Sequence, residues 1–236
     1  KNRGFAAVGN NLEPLLKKGV KQGIFPAAAA GIYRYASGRE KRLILTTGKT
    51  RNDAQGIPIN KNTLFDLASL TKPLCSVLCI LTLIEDNTLQ FEDKLATLLP
   101  NKLPPEYKEI RLDQLLSHSA GLQAYKPFYK EFSPVQRNRS TRKFIDKIVK
   151  EQLEYPPGFR CIYSDLGYIL LGAVIKYVSG DELDIFFKRE IAAKMGLQEK
   201  IMFRRFPLNN KKEVKTTAAT EKCPWRDRIL QGEVHD

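Results

Sequence analysis

Ser69-Leu70-Thr71-Lys72 closes an apolar run, Thr63-Leu64-Phe65-Asp66-Leu67-Ala68, and opens a longer one. If a helix begins at or near Ser69, residues three apart lie on one face, and the Ser69 hydroxyl meets the Lys72 amine. A hydroxyl beside an amine is the minimum equipment for a serine nucleophile activated without histidine. Ser140-Thr141-Arg142-Lys143 fits the same template, but it sits among Arg137, Arg139 and Arg142, with no strand before it and no apolar helix entrance. A motif carries meaning only in its structural context, so the first copy is the candidate.

A second group lies far downstream. Tyr163-Ser164-Asp165 follows Tyr155-Pro156-Pro157-Gly158 and precedes the apolar Leu166-Gly167-Tyr168-Ile169-Leu170-Leu171-Gly172. The Pro-Pro-Gly turn reverses the chain, and Ser164 or Asp165 can cap the helix that follows. Tyr163 then sits in a loop. Beside a lysine, where a positive charge favours the ionised form, it would act as general base on Ser69 and general acid for the leaving group. The bland alternative is that Tyr163 packs and Asp165 only caps. Two histidines are present, His118 and His235. A Ser-His-Asp arrangement needs an orienting acid and a histidine within reach of the nucleophile. Spacing does not supply that arrangement, and His235 stands next to the last residue.

These groups need elements to hold them. Apolar residues at Leu12, Leu15, Leu16 and Val20 have the helical period and predict a first helix over 12–23. Segments 27–35 and 41–47 read as strands joined by Ser37-Gly38-Arg39-Glu40, a hairpin-type link. A short strand over 63–67 delivers Ser69. Pro73 is acceptable there because first-turn amides lack an intrahelical acceptor. Helices are expected near 74–85, 111–116, 141–153, 165–178 and 182–193, punctuated by proline links, and a β-like stretch returns at 216–220. The order predicts an α+β fold: an antiparallel sheet with flanking helices and an inserted all-helical lobe. The sheet lobe would comprise 1–66 with 213–236 and the helical lobe 67–212, one functional unit with its site between them.

The chain of 236 residues can bury one substantial core. Its hydrophobic content of 42% and charged content of 28% are those of a globular protein. No apolar run is expected to reach the roughly 20 residues that span a bilayer, so no integral membrane segment is expected. The net charge of +13 raises the question of a polyanion partner. The basic residues are scattered, with short clusters such as Arg204-Arg205 and Lys211-Lys212, and no nucleic-acid motif accompanies them. No nucleic-acid partner is expected. Cys75, Cys79, Cys161 and Cys223 lack paired zinc-ligand spacing. They read as free thiols behaving as small hydrophobes, which leans toward a reducing, cytoplasmic compartment.

Ser69-Leu70-Thr71-Lys72-Pro73, then Leu115-Leu116-Ser117-His118-Ser119-Ala120-Gly121-Leu122, then Tyr155-Pro156-Pro157-Gly158 with Tyr163-Ser164-Asp165, stand in the order seen in class C β-lactamase and penicillin-binding-protein-like serine hydrolases, which the chain resembles over most of its length. Gly232-Glu233-Val234-His235-Asp236 is similar to a stretch of the esterase-like branch. The resemblance implies the β-lactamase/transpeptidase-like fold. It also implies Ser69 as the acylated nucleophile, Lys72 as its partner base and Tyr163 as the proton shuttle, with His118 in a structural loop, no metal and no organic cofactor. The substrate would be a small ester, amide or β-lactam, and a periplasmic location would fit the family. Where the family often has asparagine, this chain has Asp165, expected to contact substrate. An ionised carboxylate only accepts hydrogen bonds, which disfavours β-lactam-type amide recognition and favours ester hydrolysis.

The resembled enzymes carry a third motif, Lys-Thr-Gly or His-x-Gly, on a later strand. Lys215-Thr216-Thr217 lacks the glycine, and Gly48-Lys49-Thr50 lies upstream of Ser69. The chain therefore reads as truncated before that motif. Loss of one oxyanion donor costs about 100- to 1000-fold in turnover. Two rivals follow: a non-catalytic penicillin-binding-like or regulatory protein, and a basic interaction module. For Lys72, placement at a helix N-terminus with partial desolvation predicts a lowered pKa, suited to a neutral base.

Overall fold

The structure is a computed structural model describing residues 3–36, 38–100, 102–131, 141–204 and 214–234. Of the second Ser-x-x-Lys copy, Ser140 lies outside the described residues, as do Arg137, Arg139, His235 and the whole 205–213 stretch with Arg205 and Lys211-Lys212. The chain divides into two compact units, Lys1–Ala68 with Arg204–His235, and Ser69–Phe203. The second is inserted into the sequence of the first. The fold is α+β, with antiparallel strand pairs, flanking helices and an all-helical insertion.

In the first unit, α1 (Arg3–Lys21) is followed by β1 (Ala27–Ala36) and β2 (Arg39–Gly48). These strands pair antiparallel from Ala27↔Gly48 to Ala36↔Arg39. Phe5, Gly9, Leu12, Leu16 and Gly19, at helical spacing, form the covered face of α1, while Leu15 points to solvent. A second antiparallel pair, β3 (Ala219–Cys223) with β4 (Arg228–Gln231), closes the unit. The strand expected over 63–67 contributes only a bridge. Leu64 pairs in parallel with Thr217, its amide donating to Thr216 O at 3.2 Å and its carbonyl accepting from Ala218 at 2.7 Å.

The second unit is helical: α2 (Leu78–Glu85), α3 (Leu95–Leu98), α4 (Pro105–Lys108), α5 (Leu112–Leu116), α6 (Thr141–Ile148), α7 (Asp165–Ser179) and α8 (Leu183–Phe187). Two expected helices are interrupted. A π-helical stretch, Lys72–Val77, leads into α2, and another, Lys188–Ala192, follows α8. The central element is α7, apolar almost all round. It buries Leu166, Leu170, Leu171, Val174 and Ile175 against α2, α5, α6 and α8. The Ser164 hydroxyl accepts from Gly167 N at 3.3 Å to cap it. Tyr107 is fully buried, and its hydroxyl donates to the Ile148 and Glu151 carbonyls at 2.7 and 2.9 Å. That contact fastens α4 to the end of α6.

By length and composition alone, the helical stretch Ala68–Glu85 is apolar enough to cross a membrane. Here Cys75, Cys79, Ile80 and Leu83 from that stretch pack in the core of the helical unit.

Candidate active site

Ser69 and Lys72 meet because of a local irregularity. Ala68–Leu70 is a 3-10 turn, not the start of an α-helix. Ser69 sits in that turn and Lys72 opens the π-helical stretch Lys72–Val77, so the pair straddles the junction of two helical types. Three residues apart, they still face each other, and Lys72 Nζ donates to Ser69 Oγ at 3.1 Å. Because the ammonium is the donor, the Ser69 proton remains available to another acceptor.

Tyr163 and Asp165 arrive at the same nitrogen. The Tyr163 ring centroid is 4.7 Å from Lys72 Nζ, within cation-π range. Asp165, first residue of α7, places Oδ1 2.6 Å from it. That oxygen is buried and takes no well-aligned hydrogen bond among the described residues, so the ion pair is its compensation. Asp165 and Tyr168 stand three apart on α7 and so share a face. The Tyr168 ring lies 5.7 Å from Lys72 Nζ. The structure thus brings together all four residues singled out by sequence, Ser69, Lys72, Tyr163 and Asp165, and adds Tyr168, which only the helical spacing from Asp165 signalled.

The charge state of Lys72 is the main correction. Burial alone would lower its pKa, as expected from sequence. The Asp165 carboxylate and the Tyr163 hydroxyl together outweigh burial, and the pKa is raised. With only 13% of its side chain exposed and a carboxylate in contact, Lys72 is an ammonium in this state, not a neutral base. Asp165 faces Lys72, with 30% of its side chain still exposed.

The segment carrying Tyr163 is stitched to the loop after α5. Gly158 N donates to Ser119 O at 2.8 Å, Ile162 N to His118 O at 2.9 Å, and Asp165 N to Ala124 O at 2.8 Å. The Ser164 hydroxyl donates to Gln123 O at 2.7 Å. Gly121 makes the closest approach: with φ +81, its position would put a Cβ 2.2 Å from Tyr155 O. Only glycine fits there without displacing the Tyr155-Pro156-Pro157-Gly158 turn. Among the described residues no group of three or more His, Cys, Asp or Glu side chains is placed to hold a metal ion.

The Beta-lactamase family model matches residues 12–205. The chain belongs to that family. It is 30% identical over 192 residues to the N-acetylmuramyl-L-alanine amidase of Bacillus subtilis, covering 74% of this chain and 43% of that protein. It is 29% identical over 201 residues to a putative D-alanyl-D-alanine carboxypeptidase of Escherichia coli, covering 77% and 45%. Among solved structures, a class C β-lactamase superposes with a TM-score of 0.74 at 15% identity, over 95% of this chain and 57% of that one. This last likeness concerns the fold alone. The chain spans less than half the length of these curated relatives.

Proposed function

We propose that this protein is a serine hydrolase of the esterase-like, class C β-lactamase-related branch, cleaving a small ester or amide through an acyl-enzyme on Ser69. The observation that carries this reading is the convergence on one nitrogen: Ser69 Oγ at 3.1 Å, Asp165 Oδ1 at 2.6 Å and the Tyr163 ring at 4.7 Å from Lys72 Nζ. Tyr163, acting as its phenolate, takes the Ser69 proton as the serine oxygen attacks the substrate carbonyl carbon. Lys72, kept charged by Asp165, stabilises first the Tyr163 phenolate and then the developing negative charge beside Ser69, while the carbonyl oxygen becomes the oxyanion. The tetrahedral adduct expels its alcohol or amine, which receives the proton from Tyr163, and water then releases the acid by the reverse sequence. The Ser69 amide would supply one oxyanion donor. The route needs neither metal nor organic cofactor. The names of the relatives, an amidase and a carboxypeptidase, suggest a peptide-like acyl group.

One observation favours a second reading, a penicillin-binding-like or regulatory protein without turnover: an ammonium at Lys72 cannot accept the Ser69 proton, so activity rests on Tyr163. That protein would bind, or acylate once, and release no second product. A fluorophosphonate probe followed by intact mass tests the primary reading. One equivalent should add to the wild type and none to Ser69→Ala. Probe addition that persists in the variant, or no addition to the wild type, refutes it. Steady-state release of nitrophenol from a nitrophenyl ester then separates hydrolase from binder.

A further inference from the structure

His118 is used by no step above, yet it holds the tyrosine that performs the proton transfer from both sides. Its backbone carbonyl accepts from Ile162 N at 2.9 Å, the residue before Tyr163. Its Nδ1 accepts from Ser164 N at 3.0 Å, the residue after. Its ring lies against the Tyr163 ring at 4.6 Å between centroids and against the Tyr168 ring at 4.9 Å. Tyr168 is itself anchored, its hydroxyl donating to Leu116 O at 3.1 Å. His118 has φ +58, a left-handed conformation rare for a side-chain-bearing residue. That conformation turns one residue's carbonyl and ring nitrogen toward the same passing segment. The strain has a visible return, a clamp closed around position 163.

We propose that His118 is a positioning residue whose neutral imidazole, protonated on Nε2 only, clamps Tyr163 over Lys72, and that gain of a second proton opens the clamp and silences the site. The proposal rests on the hydrolase reading for its catalytic consequence, but the clamp itself is independent of it. An amide N–H aimed at Nδ1 requires a lone pair there. A proton on Nδ1 turns that acceptor into a donor facing a donor, so the Ser164 contact must break and Tyr163 loses one of its two fixed flanks.

The groups facing the imidazole have opposing effects. Lys72, from the π-helical stretch, opposes a second positive charge, while Asp165, from α7, favours it. Tyr163 and Tyr168 present ring faces. Burial and then Lys72 dominate, and the pKa is lowered from its ordinary value of 6.5. The clamp is therefore closed at neutral pH and opens only below the usual imidazole range.

Two variants test this. Asparagine places Oδ1 where Nδ1 stands, tolerates the left-handed backbone and does not titrate, whereas alanine removes the acceptor. His118→Ala should slow fluorophosphonate acylation of Ser69 about 10- to 100-fold at pH 8, the scale expected when a reacting group is misplaced by about 1 Å. The half-saturating probe concentration should stay within about threefold. His118→Asn should stay within about threefold of the wild-type rate at pH 8 and lack the acid limb expected of the wild type below the usual imidazole range. An acid limb unchanged in His118→Asn, or an alanine variant as fast as wild type, overturns the proposal while leaving the hydrolase reading standing.

Nuclear magnetic resonance of the ¹⁵N-labelled wild type supplies the readout independent of catalysis. The Ser164 amide signal should titrate with the His118 ring, and stay flat in His118→Asn. If it does so while Ser69 never labels, the clamp stands and the hydrolase reading falls. A Ser164 amide indifferent to the His118 titration refutes the clamp, whatever the activity.

Discussion

Asp165→Asn isolates the feature that most sets this site apart. Asparagine keeps the shape of the side chain at the start of α7 and removes only the charge facing Lys72. At 2.6 Å, two unit charges attract by about 6 kcal/mol at an effective dielectric of about 20. Taking both out of water offsets most of that. With 13% of the Lys72 side chain and 30% of the Asp165 side chain exposed, the pair lies between a surface bridge and a buried one. Its net worth should be about 1–3 kcal/mol, or about 2–4 °C in Tm for each kcal/mol in a chain of this size. The pH dependence has a definite sign. Contact with Asp165 raises the Lys72 pKa above its ordinary 10.5, so the stabilisation is fully present below 10.5 and disappears as pH rises through the folded-state value. Urea unfolding of wild type and variant at pH 7, 9 and 11 should therefore show a gap that is constant between the first two and narrower at the third. The alkaline limb of the acylation rate should also move to lower pH in the variant, because Lys72 then loses its proton more easily. Equal stabilities at pH 7, or acylation profiles that superimpose at alkaline pH, would show that Asp165 does not hold Lys72 charged.

Gly121→Ala should destabilise the protein by at least about 2 kcal/mol, combining a left-handed backbone penalty with a Cβ 2.2 Å from the Tyr155 carbonyl. It should also slow Ser69 labelling, since the displaced turn leads to Tyr163. Chemical denaturation and labelling kinetics read the two effects, and an unperturbed variant would show that this close approach is not required. Tyr107→Phe should cost about 0.5–1.5 kcal/mol by removing a hydroxyl shared between the Ile148 and Glu151 carbonyls, the first of which keeps the Glu151 amide as a donor. Because Tyr107 lies away from Lys72, the Ser69 labelling rate at low denaturant should be unaffected.

The legible parts of this fold are those where one local rule decides. The β1–β2 hairpin follows from two strand-like runs around a tight link. The α7 helix follows from a capping serine and a long apolar run. Ser69 and Lys72 were legible from spacing, although they sit at the junction of a 3-10 turn and a π-helical stretch and not in the α-helix that the spacing suggested. The misread parts depend on distant partners. The 63–67 run has strand composition, but only Leu64 finds a ladder partner, near Thr217. The helix expected over 182–193 widens into a π-helical stretch after Phe187. The pKa of Lys72 was misjudged because helix position and burial are local signals. The carboxylate that reverses them comes from another helix, and Asp165 looked like a cap or a substrate contact.

Within the proposed mechanism, the enclosure of Lys72 makes a carboxylate at position 165 compatible with serine chemistry. Asp165 and Tyr168 come from one face of α7, and Tyr163 from the segment just before it, so one helix start supplies a charge and two ring faces to a single ammonium. A neutral amide at 165 would leave burial less opposed and favour a lysine that gives up its proton, which suits base catalysis by nitrogen. A carboxylate favours a lysine that keeps its proton, and the burden of accepting the Ser69 proton moves to the Tyr163 oxygen. Tyr163 must then be held more strictly than in a site where the amine is the base, because one oxygen has to reach the nucleophile and the leaving group in turn. The two-sided hold of His118 on residues 162 and 164 meets that requirement. The charge at 165 and the clamp at 118 are thus two parts of one arrangement, and an Asp165→Asn background should make the labelling rate less sensitive to loss of His118.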